Sequence, residues 1–332
     1  MRMLALVVLA ACTSPGSGSG GLANVEVSVF TNIADSTPIV GAPVAFVDPS
    51  GGGFVVHTGT DGIARGEVAE GGSVTALVGT RPSGNPPHLS SMLGVRDGDK
   101  VRLGFWSPSL EPPTGTPTCT EVDFTATFTN LATHGVAGLY FLRHVVGWNG
   151  EPIDIDQSIT LPTTLRTIPG APGGASAELS IALTGPGNAQ GMIGDWIDGC
   201  QSTYDVDLAE MVPWVEDITS AGRRIDVSRA GGTLEGDMMT TLVQYSTTDE
   251  PFVNWNVITP VVDSYELPML PGELSSLNPT SPLTKLAVQL DDYELLDGYD
   301  DARFILGATN GLGQTGAPAG LGRLLRTYRI QL

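Results

Sequence analysis

Pro38-Ile39-Val40-Gly41-Ala42-Pro43-Val44-Ala45-Phe46-Val47 and Phe54-Val55-Val56-His57-Thr58-Gly59-Thr60-Asp61-Gly62-Ile63-Ala64-Arg65-Gly66-Glu67-Val68 are apolar runs punctuated by turn formers. Asp61-Gly62 is the most informative pair. Glycine takes positive φ without steric cost and aspartate bonds its own backbone, so together they reverse the chain between strands. Upstream, Val25, Val27 and Val29 alternate with Glu26, Ser28 and Phe30, the period of a half-buried strand. Phe30 falls on the otherwise polar side and marks the point where that strand ends or turns. Downstream, Gly71-Gly72-Ser73-Val74-Thr75-Ala76-Leu77-Val78 reads as a further glycine-led strand.

The same signature recurs along the chain. Val122, Phe124, Ala126 and Phe128 alternate with polar residues, as do Ala177, Leu179, Ile181 and Leu183 and the final Tyr328, Ile330 and Leu332. Leu139–Val146, Ile225–Val227, Met238–Tyr245 and Leu286–Leu290 are further strand candidates, and Asp205–Val215 is the one stretch suited to a short helix. Composition agrees: 43 glycines and 24 prolines among 332 residues would interrupt helices repeatedly but suit strands joined by tight turns. With 41% apolar and only 16% charged residues, the chain has ample surface to collapse, which excludes wholesale disorder. The expectation is an all-β protein.

Between residues 22 and 80 the order of elements resembles the carboxypeptidase regulatory-like, or transthyretin-like, β-sandwich. Pro38, Gly41, Ala42 and Val44 match its P-x-x-G-A-x-V segment; Thr58, Thr60, Asp61 and Gly62 match a slightly altered T-x-x-D-G; Gly71, Gly72, Val74 and Ala76 match the closing strand. Ile63 and Ala64 depart from it, standing where the family usually has an aromatic, and the segment Arg81–Lys100 is longer than a simple hairpin. The resemblance implies a small transthyretin-like or Ig-like β-sandwich at residues 22–106 that is non-catalytic: a spacer, folding aid or binding accessory. Residues 107–118, with Pro112, Pro113 and Pro117, read as a semi-rigid linker, and residues 119–332 as a larger β-sandwich or β-rich region.

At the N-terminus, Arg2, an apolar run from Leu4 to Ala11 and then Cys12 occur together. The run is far shorter than the ~20 residues that span a bilayer. Leu9-Ala10-Ala11-Cys12 resembles the bacterial lipoprotein lipobox. That resemblance implies a signal peptide at residues 1–11, cleavage before Cys12, acylation of Cys12 (palmitate among the acyl chains), and a flexible tether at residues 12–21. Thr13 in place of Asp implies the outer membrane, with its periplasmic and outer faces both open. An ordinary secretory signal is the alternative. Export to an oxidising compartment also suggests a disulfide between Cys119 and Cys200, against two separate buried thiols.

A net charge of -20 repels phosphate backbones, and no basic stripe offsets it, so nucleic acid is excluded as a partner. His57, His88, His134 and His144 are scattered, without an HExxH motif; His134 and His144 with Asp154 and Asp156 are the alternative to ordinary surface or core histidines. Asp291, Asp292, Asp297, Asp300 and Asp301 form the densest acidic cluster, either weak calcium ligands or solvated loops. No GxSxG elbow or phosphate-cradling glycine loop is present. Trp106, Trp148, Trp196, Trp214 and Trp255 suit either a carbohydrate platform or, preferentially, sandwich cores. The expectation is a lipid-anchored structural or binding protein that is not an enzyme, has no cofactor, and meets a surface glycan or protein. The alternative is a hydrolase of carbohydrate or peptide whose catalytic groups meet only in the fold.

Overall fold

The computed structural model describes residues 21–32, 38–79, 86–105, 124–130, 138–146, 152–159, 165–168, 177–197, 203–231, 235–306 and 323–331. The N-terminal part contains β1 (Leu22–Asn32), β2 (Pro43–Val47), β3 (Gly53–His57), β4 (Ile63–Ala69), β5 (Ser73–Gly79), β6 (His88–Leu93) and β7 (Lys100–Phe105). Strands β4-β1-β7 form one sheet, and β3-β2-β5-β6 are neighbours in another. Val25, Val27 and Val29 of β1 share a core with Val44, Phe46, Val74 and Ala76 of the facing sheet, so this part is a two-layer sandwich. The alternation read from the sequence is what buries one side of β1. Two glycines fit the packing closely. A Cβ on Gly66 would lie 2.9 Å from the Phe46 ring, and Gly62 holds φ +72° with its Cβ position 2.3 Å from Pro38. Phe30 does not end its strand: β1 runs on to Asn32 through a register shift, and Phe30 packs under the Arg102 guanidinium, 4.4 Å from the ring centroid.

The remainder adds β8 (Phe124–Thr129), β9 (Gly138–Val146), β10 (Pro152–Ile159), β11 (Leu165–Ile168), β12 (Ala177–Thr184), β13 (Gln190–Ile197), β14 (Thr203–Asp207), β15 (Trp214–Ala221) and β16 (Arg224–Ala230). It continues with β17 (Met238–Tyr245), β18 (Val253–Thr259), β19 (Ser264–Glu266), β20 (Lys285–Tyr293), the helix α1 (Tyr299–Leu306) and β21 (Leu324–Gln331). Twelve strands make one sheet in the order β10-β9-β12-β13-β21-β20-β17-β18-β6-β5-β2-β3. The join between the N-terminal sandwich and the rest is the parallel pairing of β6 with β18, Asn254 opposite His88 through Ile258 opposite Met92. The long sheet therefore runs through both parts of the chain without a break at this point.

Its second face meets a further sheet, β15-β16-β19. Val215, Ile218, Ile225 and Val227 of that sheet pack with Val243, Trp255, Val257, Leu286 and Val288, and with Ala45, Val47 and Leu89 from the N-terminal strands. Successive residues of β2 thus enter different cores: Val44 and Phe46 one, Ala45 and Val47 the other. The architecture is all-β and multi-layered, with the long sheet in the middle. A smaller sheet, β11-β8-β14, completes the described strands, and Tyr204 of β14 donates to Asp195 of β13 at 2.7 Å.

Two local expectations are corrected. Asp205–Val215 is not a helix: β14 ends at Asp207, whose carboxylate accepts the Ala209 N–H at 2.9 Å and caps a single 3-10 turn, Leu208–Glu210, before β15 starts at Trp214. Pro213 and the buried Met211 and Val212 leave no room for an amphipathic continuation. The acidic stretch after β20 is not wholly loop, since Asp300 and Asp301 open α1, where the helix dipole favours carboxylates. The linker at 107–118 lies outside the described residues.

Candidate functional site

The densest charged region of the described structure is built where β17, β20 and β21 meet the turn into α1. Asp291 on β20 and Arg326 on β21 are cross-strand partners, both essentially without solvent exposure. Arg326 Nε donates to Asp291 Oδ1 at 2.5 Å and Nη2 to Oδ2 at 3.1 Å, while Gln289 Nε2 adds a bond to Oδ2 at 2.7 Å. Burial works against the Arg326 charge, yet Asp291 and Tyr293 more than offset it and hold the guanidinium above its ordinary value.

Asp237, at the entrance to β17, clamps the following turn: one oxygen accepts the Tyr293 N–H at 2.7 Å and the other the Gly298 N–H at 2.8 Å. Burial raises the Asp237 carboxyl despite these bonds, with the charges of Asp291 and Asp297 adding to the rise. Asp292 is pushed up to about 6 by burial and by the neighbouring Asp237 and Asp291 charges. The turn leads into α1, which is fastened to the N-terminal sandwich. Arg303 pairs with Asp99 and with Asp300, Asp300 also pairs with Arg96, and the Tyr299 hydroxyl donates to the Leu93 carbonyl at 2.6 Å.

Three of the five aspartates singled out in the sequence have structural tasks for their carboxylates. Asp291 neutralises Arg326, Asp300 pairs with Arg96 and Arg303, and Asp301 accepts the Asp297 N–H at 3.2 Å. Among the described residues no group of three or more His, Cys, Asp or Glu is arranged to hold a metal ion. Asp237 and Arg326, absent from the sequence reading, are the residues that organise this region. Lone charges in apolar or mixed stretches carry no periodic signal, and only the register of β17, β20 and β21 brings them together.

His57, at the end of β3, is half exposed and 2.8 Å from Glu273. His88 is buried at the β6–β18 join, and desolvation lowers it to about 4, so it is neutral at pH 7. Asp154 of β10 stands opposite His144 of β9 in register, and His134 lies outside the described residues. Trp255 and Trp214 fill cores, and the Trp255 indole N–H donates to Ser91 at 2.6 Å. Trp196 belongs to β13, whereas Trp106 and Trp148 lie outside the described residues. The expected Cys119–Cys200 disulfide is corrected: no disulfide bond is present among the described residues. Cys12, Cys119 and Cys200, with the whole of residues 1–20, lie outside the described residues. Among the described residues no helix is long and apolar enough to cross a membrane.

Two clefts are open to solvent. One, about 320 Å³, lies between the β2–β3 turn and the end of β19; its Arg223 is committed to the Leu267 carbonyl and stands 3.4 Å from Glu266. The other, about 510 Å³, lies along β1, β4 and β7, where Arg65 bonds Glu26 at 3.0 Å and Asp61 at 2.8 Å.

No protein-family model matches the chain, and no curated protein matches it in sequence. Among solved structures, the FN1–FN3 domains of chicken CNTN1 align over 87% of this chain and 90% of that one at 11% identity, with a TM-score of 0.15. A superposition at that score carries no argument, and the all-β assignment stands on the strands and their pairing.

Proposed function

We propose that this chain is an exported structural or binding protein without catalytic activity, anchored through lipid on Cys12 and displayed on the bacterial outer membrane. The observation that carries the reading is the parallel β6–β18 pairing. It makes the strands that follow the Gly/Ser-rich tether continuous with the sheet of the C-terminal part, so the body beyond Leu22 is suited to stand off a surface as one unit. The sandwich of β1–β7 supports a transthyretin-like module in the spacer role. The buried charges of the body serve its own packing: Asp291 faces Arg326, and Asp237 holds backbone N–H groups. The test is fatty-acid labelling of the full chain in a bacterial host. Wild type incorporates labelled palmitate and fractionates with membranes; Cys12→Ala does neither. Equal labelling of the two would remove the anchor from this reading.

A further inference from the structure

Strand β4 is an edge of the three-stranded sheet β4-β1-β7. It pairs with β1 without a register shift, from Ala69 opposite Leu22 to Ile63 opposite Ser28, so its backbone groups face β1 and face away in alternation. The two ends show which residues face away. The Ile63 N–H donates to Asp61 Oδ1 at 3.1 Å, and its carbonyl accepts from the Gly59 N–H at 3.0 Å. The Ala69 N–H donates to Asp48 Oδ1 at 2.7 Å, and its carbonyl accepts from the Gly72 N–H at 2.9 Å. Between these satisfied ends, the N–H and C=O of Arg65 and Glu67 point outward in the same phase and have no backbone partner among the described residues. An open row of this kind is a template for another strand.

The side chains along the row are arranged about Gly66. Arg65 and Glu67 stand exposed on the outer face, while Ala64 and Val68 are buried in the sandwich. Arg65 commits Nε to Glu26 and Nη1 to Asp61, which leaves Nη2 for a further acceptor, and no ion pair among the described residues engages Glu67. On the inner side the Phe46 ring occupies the space beneath Gly66. Phe54 of β3, 43% exposed, stacks on Phe46 with ring centroids 5.4 Å apart. Because β3 is the last strand of the long sheet and lies against β4, the same rim of the sandwich carries an uncovered aromatic ring.

We propose that β4 pairs with β4 of a second copy of this chain, antiparallel about a two-fold axis at Gly66, so that the two three-stranded sheets join into one. The phase of the backbone suits that axis. Gly66 meets Gly66 of the partner subunit as a pair without hydrogen bonds, and Arg65 meets the partner's Glu67 as a pair that exchanges N–H···O bonds in both directions. Charge selects the register. Axes at Arg65 or at Glu67 also align the outward groups, but they set like charges directly opposite, whereas the axis at Gly66 sets opposite charges face to face on both sides of it. Arg-Gly-Glu run antiparallel against itself is its own complement, which is why a second copy fits this edge. The proposal goes beyond the function given above and does not rest on the anchor, since Cys12 takes no part in the contact.

The experiment is sedimentation velocity of the purified full chain from about 1 to 200 µM, the range suited to a contact smaller than a standard interface. Wild type passes from monomer to dimer across it. Glu67→Arg sets two arginines opposite each other at both pairs, and Glu67→Pro removes an outward N–H while leaving the β1 ladder intact; each weakens dimerisation about tenfold or more. The two act by different means, so either one carries the test, with far-UV circular dichroism and an unchanged Tm as the control for folding. Glu67→Arg mixed with Arg65→Glu restores opposite charges at both pairs and brings back a dimer that neither variant forms alone. Wild type that stays monomeric throughout, a dimer indifferent to both changes at position 67, or a mixture that stays monomeric overturns the proposal.

Discussion

Replacing Arg326 by methionine leaves the Asp291 carboxylate enclosed with Gln289 as its remaining side-chain partner, because both members of the pair are about 2% exposed or less. Stranding one charge of a buried, bidentate pair costs about 3–5 kcal/mol. Asp291→Leu, which strands the guanidinium instead, costs a similar amount. The double variant Asp291→Leu/Arg326→Met removes both charges, and apolar replacement of a whole buried pair is often neutral or stabilising. Gln289 Nε2 then loses its acceptor, an expense of about 1–3 kcal/mol, so the double variant falls within ~2 kcal/mol of wild type. Single costs of this size against a small double cost give a coupling energy of several kcal/mol, above the range of ordinary neighbouring residues. The assay is urea unfolding at pH 7 followed by far-UV circular dichroism and tryptophan fluorescence, with unchanged m-values as the control. Arg326→Lys recovers only part of the loss, since one ammonium cannot reproduce two bonds from a planar fork. Additive single costs, or single costs below ~1 kcal/mol, would refute the view that this pair is a desolvated unit.

Two titrations in the fold act in opposite directions. His88 has a folded pKa of about 4 against 6.5, so below pH 6.5 the unfolded chain takes the proton first; its contribution, about 3 kcal/mol at neutral pH, is lost as pH falls from 6.5 toward 4. Asp292 is raised to about 6, so its folded form binds the proton first and its contribution grows as pH falls from 6 toward 4. Denaturation at stepped pH separates them: His88→Gln makes acid less destabilising than in wild type, Asp292→Asn makes it more so, and identical pH profiles for the two variants contradict the assignments. Gly62→Ala lowers stability by about 1–3 kcal/mol, because a Cβ at φ +72° is strained and meets Pro38; a neutral result in thermal unfolding would mean that the Asp61-Gly62 turn relaxes freely.

The readable parts of the fold are those with one wet face. Strands β1, β4 and β16 show alternation because one side meets a core and the other meets solvent or charged groups, so their period is visible residue by residue. Strand β6 was missed inside the long Arg81–Lys100 segment for the opposite reason. Its His88-Leu89-Ser90-Ser91-Met92 is buried on both sides, the hydroxyls of Ser91 and Thr75 bond one another at 2.7 Å, and no alternation remains to be read. The charged region was half legible. Asp291 to Asp301 announces itself by density, but Asp237 and Arg326 stand 54 residues before Asp291 and 35 after it and have no local pattern.

Composition and turn chemistry by themselves determined that this chain is all-β, that its turns depend on residues such as Gly62, and that it carries a net charge of -20, since all of these are properties of short segments or of summed charge. Tertiary structure decided the pairing of β6 with β18, the partnership of Asp291 with Arg326, and the entry of successive β2 residues into two different cores. Each depends on which strands lie side by side, a long-range choice made by burying both faces of one sheet at once, and no window of sequence contains both partners.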